Sequence, residues 1–315
     1  FLQIQHKQPL DAIKTYDQFE SIFGLDEEIV TRKKSLYLSI NQFEKAMGEL
    51  KKLEDAYPDE PNFILMQADL YTANNMREKA NTLYKKVLEL DPENPQALLA
   101  VADYSTKNGD STARRETLKK LFSNPSLNID AKVKMLFPYI QYFDVKKDNR
   151  KEALQLADIL AATHPKEAKA HAIRGDLYNL DNQIDTALAA YLRSLDLQKD
   201  VFNVWQQLFF IYNQKQDWKK LKEVTTYSLE YFPNQAITFL FKGMAENHFK
   251  EYDQALKSYG KGEKMSVENN KLRAQFLSNI GDVLHNLTRN EESDSCFDKA
   301  IKLDPDNATV LNNYS

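Results

Sequence analysis

The chain has 315 residues, 42% hydrophobic and 28% charged, with a formal net charge of −4, a balance that fits a large packed protein and excludes a disordered one. No run of Lys and Arg is long enough to form a basic stripe for phosphates, so nucleic acid is not expected as a ligand, and no stretch of about eighteen apolar residues is available to span a bilayer. The one cysteine, Cys296, excludes an internal disulfide and a thiolate metal cluster; on the apolar face of a late helix it reads as a small packed hydrophobe.

Along the chain one pattern returns every 34 residues, the signature of stacked supersecondary repeats that cannot bury their apolar faces alone. With Pro92 set at position 32, Ala12, Tyr16, Phe19 and Gly24 fall at positions 20, 24, 27 and 32, so residues 1–26 form a partial repeat, mainly its second helix. Full repeats then start at Glu27, Pro61, Pro95, Lys134, Ala168, Phe202, Ala236 and Ala274. Residues 27–133 hold repeats 1–3 and an insertion, 134–273 hold repeats 4–7 and a second insertion, 274–307 are repeat 8, and 308–315 open a further one. The insertions, five residues near 126–133 and four near 267–273, are expected as longer loops between repeats. The first residue is Phe1 and both ends fall inside a first helix, which reads as an internal piece of a longer repeat protein.

Within each repeat, apolar residues spaced by three and four in two blocks predict a helical hairpin. Asn74-Asn75, Asn108-Gly109-Asp110, Asp181-Asn182 and Lys250-Glu251 stop the first helix, and Pro58, Pro92, Pro165, Pro233 and Pro305 close the second. Small residues recur where helix axes approach: Ala68, Ala102, Gly175, Gly243 and Gly281 at position 8, and Ala46, Ala80, Ala153, Ala187 and Ala255 at position 20. Tyr37, Tyr71, Tyr178 and Tyr212 fill position 11, and Tyr84, Tyr191, Tyr259 and Phe297 fill position 24, as core rather than a cofactor box.

With these residues in view the chain resembles the tetratricopeptide repeat family, whose pattern of a large residue at 4, small at 8, aromatic at 11, Ala at 20, aromatic at 24 and Pro at 32 it follows over nearly its whole length. Lys34, Gln141 and Phe209 at position 8, Arg114 and Leu221 at 20, and Asp144 and Glu246 at 11 depart from it, and the repeats from Pro95 and Lys134 are the least regular. The resemblance implies an all-α fold, a right-handed α-α superhelix or solenoid of helical hairpins. The content of Lys, Asn and Asp resembles bacterial members, many of which work at the cell envelope.

No P-loop, GxGxxG, HExxH, GxSxG or paired-Cys motif occurs, so no enzyme activity, cofactor or metal is expected. His164 and His171 straddle Pro165, and His171 at position 4 reads as a core histidine. The resemblance implies a protein or peptide partner in a concave groove lined by positions 2, 5, 6, 9, 12 and 13. Some members hold a terminal carboxylate there with Lys and Asn at 5 and 9, Asn at 6, then Lys and Arg at 2 and 6 of successive repeats. Lys169 has the right type at position 2, but Ile173 occupies position 6 of the same repeat, so that mode is not expected. The groove positions are instead apolar and aromatic: Leu65, Leu99, Pro138, Tyr139, Tyr142, Gln206, Phe210, Leu240, Phe241 and Met244 are the candidate partner-binding residues. Tyr139, Tyr142, Phe210, Phe241 and Met244 are the expected hot spots, although the same spacing equally suits core residues. Trp205 at position 4 reads as core and Trp218 at 17 as the outer edge of a turn. The function this implies is a non-catalytic interaction scaffold; a self-association module, with homo-oligomers, and the repeat region of a larger enzyme or sensor are the alternatives.

Overall fold

The computed structural model describes residues 9–141 and 147–306, the side chains of 147 and 148 apart. Among the described residues there are seventeen helices and no strand. The chain divides into two compact parts, Phe1–Met135 and Leu136–Ser315.

The first part holds α1 (Pro9–Phe23), α2 (Glu27–Ser39), α3 (Phe43–Ala56), α4 (Pro61–Ala73), α5 (Arg77–Leu90), α6 (Pro95–Lys107), α7 (Ser111–Ser123) and the start of α8 (Ile129–Gln141). The second continues through α9 (Lys147–Thr163), α10 (Ala168–Leu180), α11 (Ile184–Leu197), α12 (Phe202–Gln214), α13 (Trp218–Tyr231), α14 (Ala236–His248), α15 (Tyr252–Met265), α16 (Asn270–Asn286) and α17 (Asn290–Leu303). Consecutive helices pack as antiparallel neighbours from α1 to α7 and from α9 to α17.

Side-chain oxygens start several helices: those of Asp26, Asn94, Asp110, Asp217 and Asn269 each accept a first-turn N–H. Pro61 and Pro95 occupy the first turn, where the missing N–H costs nothing. The stop signal is a left-handed residue at position 15, at Asn41, Asn75, Gly109, Asn182, Gln216, Lys250 and Thr288, with φ between 53° and 73°. The next residue's N–H then reaches back to the carbonyl at position 11, as Gln183 does to Tyr178 at 2.9 Å and Asp217 to Tyr212 at 2.9 Å. That bond ties off a carbonyl the helix end would leave open.

Position 8 is small because the position-24 ring of the same hairpin lies on it. A Cβ added to Gly175 would stand 2.6 Å from the Tyr191 ring, and one on Gly243 would stand 2.4 Å from Tyr259. Tyr191 and Tyr259 are fully buried in consequence. In the first part Lys33 is also fully buried, its ammonium 2.5 Å from Asp17, 2.7 Å from Glu20 and 3.0 Å from Glu49. Burial works against that charge, but the three carboxylates outweigh it and raise the lysine's pKa. The cluster ties α1, α2 and α3 together.

Two expected loops are not loops. The helix expected from Lys134 begins at Ile129, 34 residues after Pro95, so the five extra residues fall inside the repeat and not before it, and α9, with 17 residues against 14 in α11, takes up part of them. The four extra residues near 267–273 lengthen the start of α16 by about one turn, with Asn269 as its cap. An added helical turn keeps its backbone hydrogen-bonded, which an added loop would not. The segments 1–8 and 308–315 of the terminal partial repeats lie outside the described residues.

Candidate functional site

The new register reassigns three candidate residues. Counted from Ile129, Tyr139 falls at position 11 beside the core tyrosines of other repeats, and it is 7% exposed. Pro138 is exposed at position 10, a place the groove pattern does not use, and Tyr142 lies outside the described residues. Position 9 is Phe137, 55% exposed, which the shifted count had passed over. The departures Gln141 and Asp144 belong to the same shift. Lys132 takes position 4, fully buried, and donates to the Phe122 carbonyl at 3.0 Å and the Asn124 carbonyl at 2.6 Å. It thus closes the C-terminal end of α7 with a cation, while burial lowers its pKa to about 8.

In the second part, α12 packs on α14 and α14 on α16, so first helices adjoin first helices. This brings Gln206, Phe210, Leu240, Phe241 and Met244 onto neighbouring elements. Leu240 and Phe241 are core, 2% and 5% exposed. Phe210 is 45% exposed, its ring edge-on to Phe241 at 5.3 Å between centroids. Met244 is half-buried and packs against the clusters around Phe241 and Tyr259. Gln206 and Gln207 are half-buried on α12. In the first part Leu65 and Leu99 are half-buried on α4 and α6. The position rule thus collects side chains of two kinds, because positions 5 and 6 turn partly into the helix interface while position 9 faces outward.

Position 9 also carries a polar link absent from the expected pattern. The Tyr84 hydroxyl donates to Asp69 at 2.8 Å and the Tyr191 hydroxyl donates to Asp176 at 2.8 Å. Burial, with Asp69 as partner, pushes the Tyr84 pKa up to about 12. Burial likewise raises Tyr191, and it raises Asp176 against the hydrogen bond it accepts. On α14 the position-9 residue is Met244, and the buried Tyr259 hydroxyl has no hydrogen-bond partner. Asn213 at position 12 of α12 has a carboxamide oxygen withdrawn from solvent and likewise unpartnered. The Tyr259 orphan is legible only once the Asp-to-Tyr pairing of positions 9 and 24 is known.

On the outer side, Trp205 is buried and donates to the Lys199 carbonyl at 2.7 Å. Trp218 stacks on His248, ring centroids 4.8 Å apart. His171 contacts the Pro165 carbonyl at 3.0 Å. Burial raises the Cys296 pKa, which disfavours the thiolate. No helix among the described residues is long and apolar enough to cross a membrane.

These elements define a class, the all-α repeat protein assembled from helical hairpins with aromatic-on-glycine contacts. Family models described as tetratricopeptide repeat match residues 62–94 and 274–307 singly and 145–200 as a further segment, so the chain carries tetratricopeptide repeats over those residues. Such repeats are protein-interaction modules and generally non-catalytic, so the chain reads as a protein-interaction scaffold. It is similar to a solved structure titled "MamA MSR-1 C2", 17% identical, with a TM-score of 0.46, over 57% of this chain and 98% of that one. No curated protein matches the chain.

Proposed function

We propose that this scaffold holds a peptide or a partner's helix against the first-helix face of α12 and α14. The observation that carries the reading is Phe210, an aromatic left 45% exposed and braced edge-on by the buried Phe241. A ring held in place by a neighbour loses little freedom on binding, which is what makes aromatic anchors effective in interfaces. Met244 beside it adapts to irregular partners, and Gln206 and Gln207 supply a polar rim. Leu240 and Phe241 support this surface from below. Leu65 and Leu99 offer a smaller apolar patch of the same kind on α4 and α6.

The experiment is selection of peptides from a random-sequence phage-displayed library against the whole 315-residue chain, followed by affinity measurement with the synthetic peptides. Phe210→Ala should weaken binding by about tenfold or more at unchanged helix content. Equal affinity for the variant would move the partner site off α12 and α14.

A further inference from the structure

We propose that the Tyr259 hydroxyl is a hydrogen-bond donor subsite on the α14 face, taking a neutral amide carbonyl of the bound partner. The inference rests on the first-helix face being the partner site, and it names the chemistry that face recognises.

Three hairpins, α4–α5, α10–α11 and α14–α15, are equivalent. In two of them the position-24 tyrosine passes over the small residue at position 8, and its hydroxyl donates to an aspartate at position 9, Asp69 or Asp176. The Asp69 side of that link is exposed and Asp176 is half-buried, so the hydroxyl ends one side chain below the surface. On α14 the tyrosine ring is held the same way, so close to Gly243 that a Cβ there would stand 2.4 Å away. The acceptor, however, is replaced by Met244, and the hydroxyl of the fully buried Tyr259 is left without a partner. A buried hydroxyl without an acceptor is destabilising, a cost that phenylalanine, used at this position in α17, would remove.

Met244 is half-buried, unbranched and packed on the cluster that holds Tyr259. A thioether side chain can rotate aside and let a partner atom reach the hydroxyl. The charge nearby selects which atom. Asp282 and Glu246 both act on the Tyr259 hydroxyl, adding to the effect of burial in raising its pKa. A third carboxylate brought to this point would meet like charge, whereas the carbonyl of a backbone amide or of an Asn or Gln side chain would not. Asn213, with its carboxamide oxygen also unpartnered, stands on the adjacent α12 and offers an acceptor to complement this donor. A donor reaching the α14 face from α15 and an acceptor on α12, three residues on from Phe210, suit an amide-bearing chain.

The test uses the peptides selected above and compares the parent chain, Tyr259→Phe and Phe210→Ala by titration calorimetry, with thermal melting run alongside. Tyr259→Phe should keep or raise the melting temperature, since it removes only an unpartnered oxygen, and should weaken peptide binding about tenfold. Unchanged affinity in Tyr259→Phe with loss in Phe210→Ala overturns the subsite and leaves the face as the partner site. Unchanged affinity in both, or no peptide recovered, overturns the face and the subsite with it. Selected peptides that share an Asp or Glu essential for the Tyr259-dependent part of binding would overturn the neutral acceptor.

Discussion

At single positions the repeat is enforced by contacts with no slack. Gly243 is the tightest of the position-8 glycines against its ring, so Gly243→Ala should displace Tyr259 and destabilise the second part by about 1–3 kcal/mol, the usual cost of overpacking. Chemical denaturation of the variant measures it. Glu54 shows the electrostatic counterpart. Burial alone would raise its pKa, but hydrogen bonds from Lys86, Gln67 and Lys51 outweigh it and hold the carboxyl at about 2. Because the folded value lies below the ordinary one of 4.5, the stability this group contributes is fully present above pH 4.5 and is lost as pH falls toward 2. Glu54→Gln should therefore flatten the acid limb of the stability profile in that window, read as melting temperature against pH. Lys132 has the same sign of dependence in an alkaline window. Its folded pKa near 8 lies below the ordinary 10.5, so stability from this site rises as pH climbs between those values, and Lys132→Met should remove that rise.

Among elements, the hairpin turn sets the geometry and the residue in it follows. Thr288 is β-branched and held at φ 59°, where an L residue with a Cβ is disfavoured by about 1–2 kcal/mol. Thr288→Gly should stabilise the α16–α17 hairpin by about 1 kcal/mol, seen as a higher denaturation midpoint at unchanged slope. The hairpins were legible in the sequence because small residues at 8 and 20 and aromatics at 11 and 24 answer to one packing rule, which α4–α5 and α10–α11 obey fully. The helix at Ile129 was not, because the first helix of the fourth repeat lacks the usual residues at two positions: Leu136 stands at position 8 and Lys132 at position 4. With neither a small residue nor an apolar one to fix the count, the nearest apolar match slid by five, carrying Pro138, Tyr139 and Tyr142 to groove positions. The candidate surface was legible at Phe210 and Met244. It was not at Leu240 and Phe241, since an apolar residue at positions 5 or 6 reads alike whether it faces a partner or the next helix.

For the molecule as a whole, contacts run between helices that are consecutive or one apart in sequence, so stability is a sum of hairpins and their interfaces. Damage should stay local. Removing the charge of Lys33 takes the buried cation away from Asp17, Glu20 and Glu49 and leaves only Lys52 bridging the two glutamates, an effect of about 3 kcal/mol, the lower end for a broken buried pair. Hydrogen exchange of Lys33→Met should quicken in α1–α3 and leave α12–α16 at parental rates; uniform acceleration along the chain would show a single cooperative block instead. The left-handed turn residues give this modular behaviour a further meaning. Of the seven, one is glycine, while glutamine, lysine and threonine hold the same backbone shape. Shape there is imposed from outside the turn, so the residue is free to drift between generations at small, separable cost. The thermal tolerance of each segment can be tuned on its own at a place remote from Phe210 and Tyr259, and a lineage moving to warmer conditions has seven such places to adjust before it must touch what the protein grips.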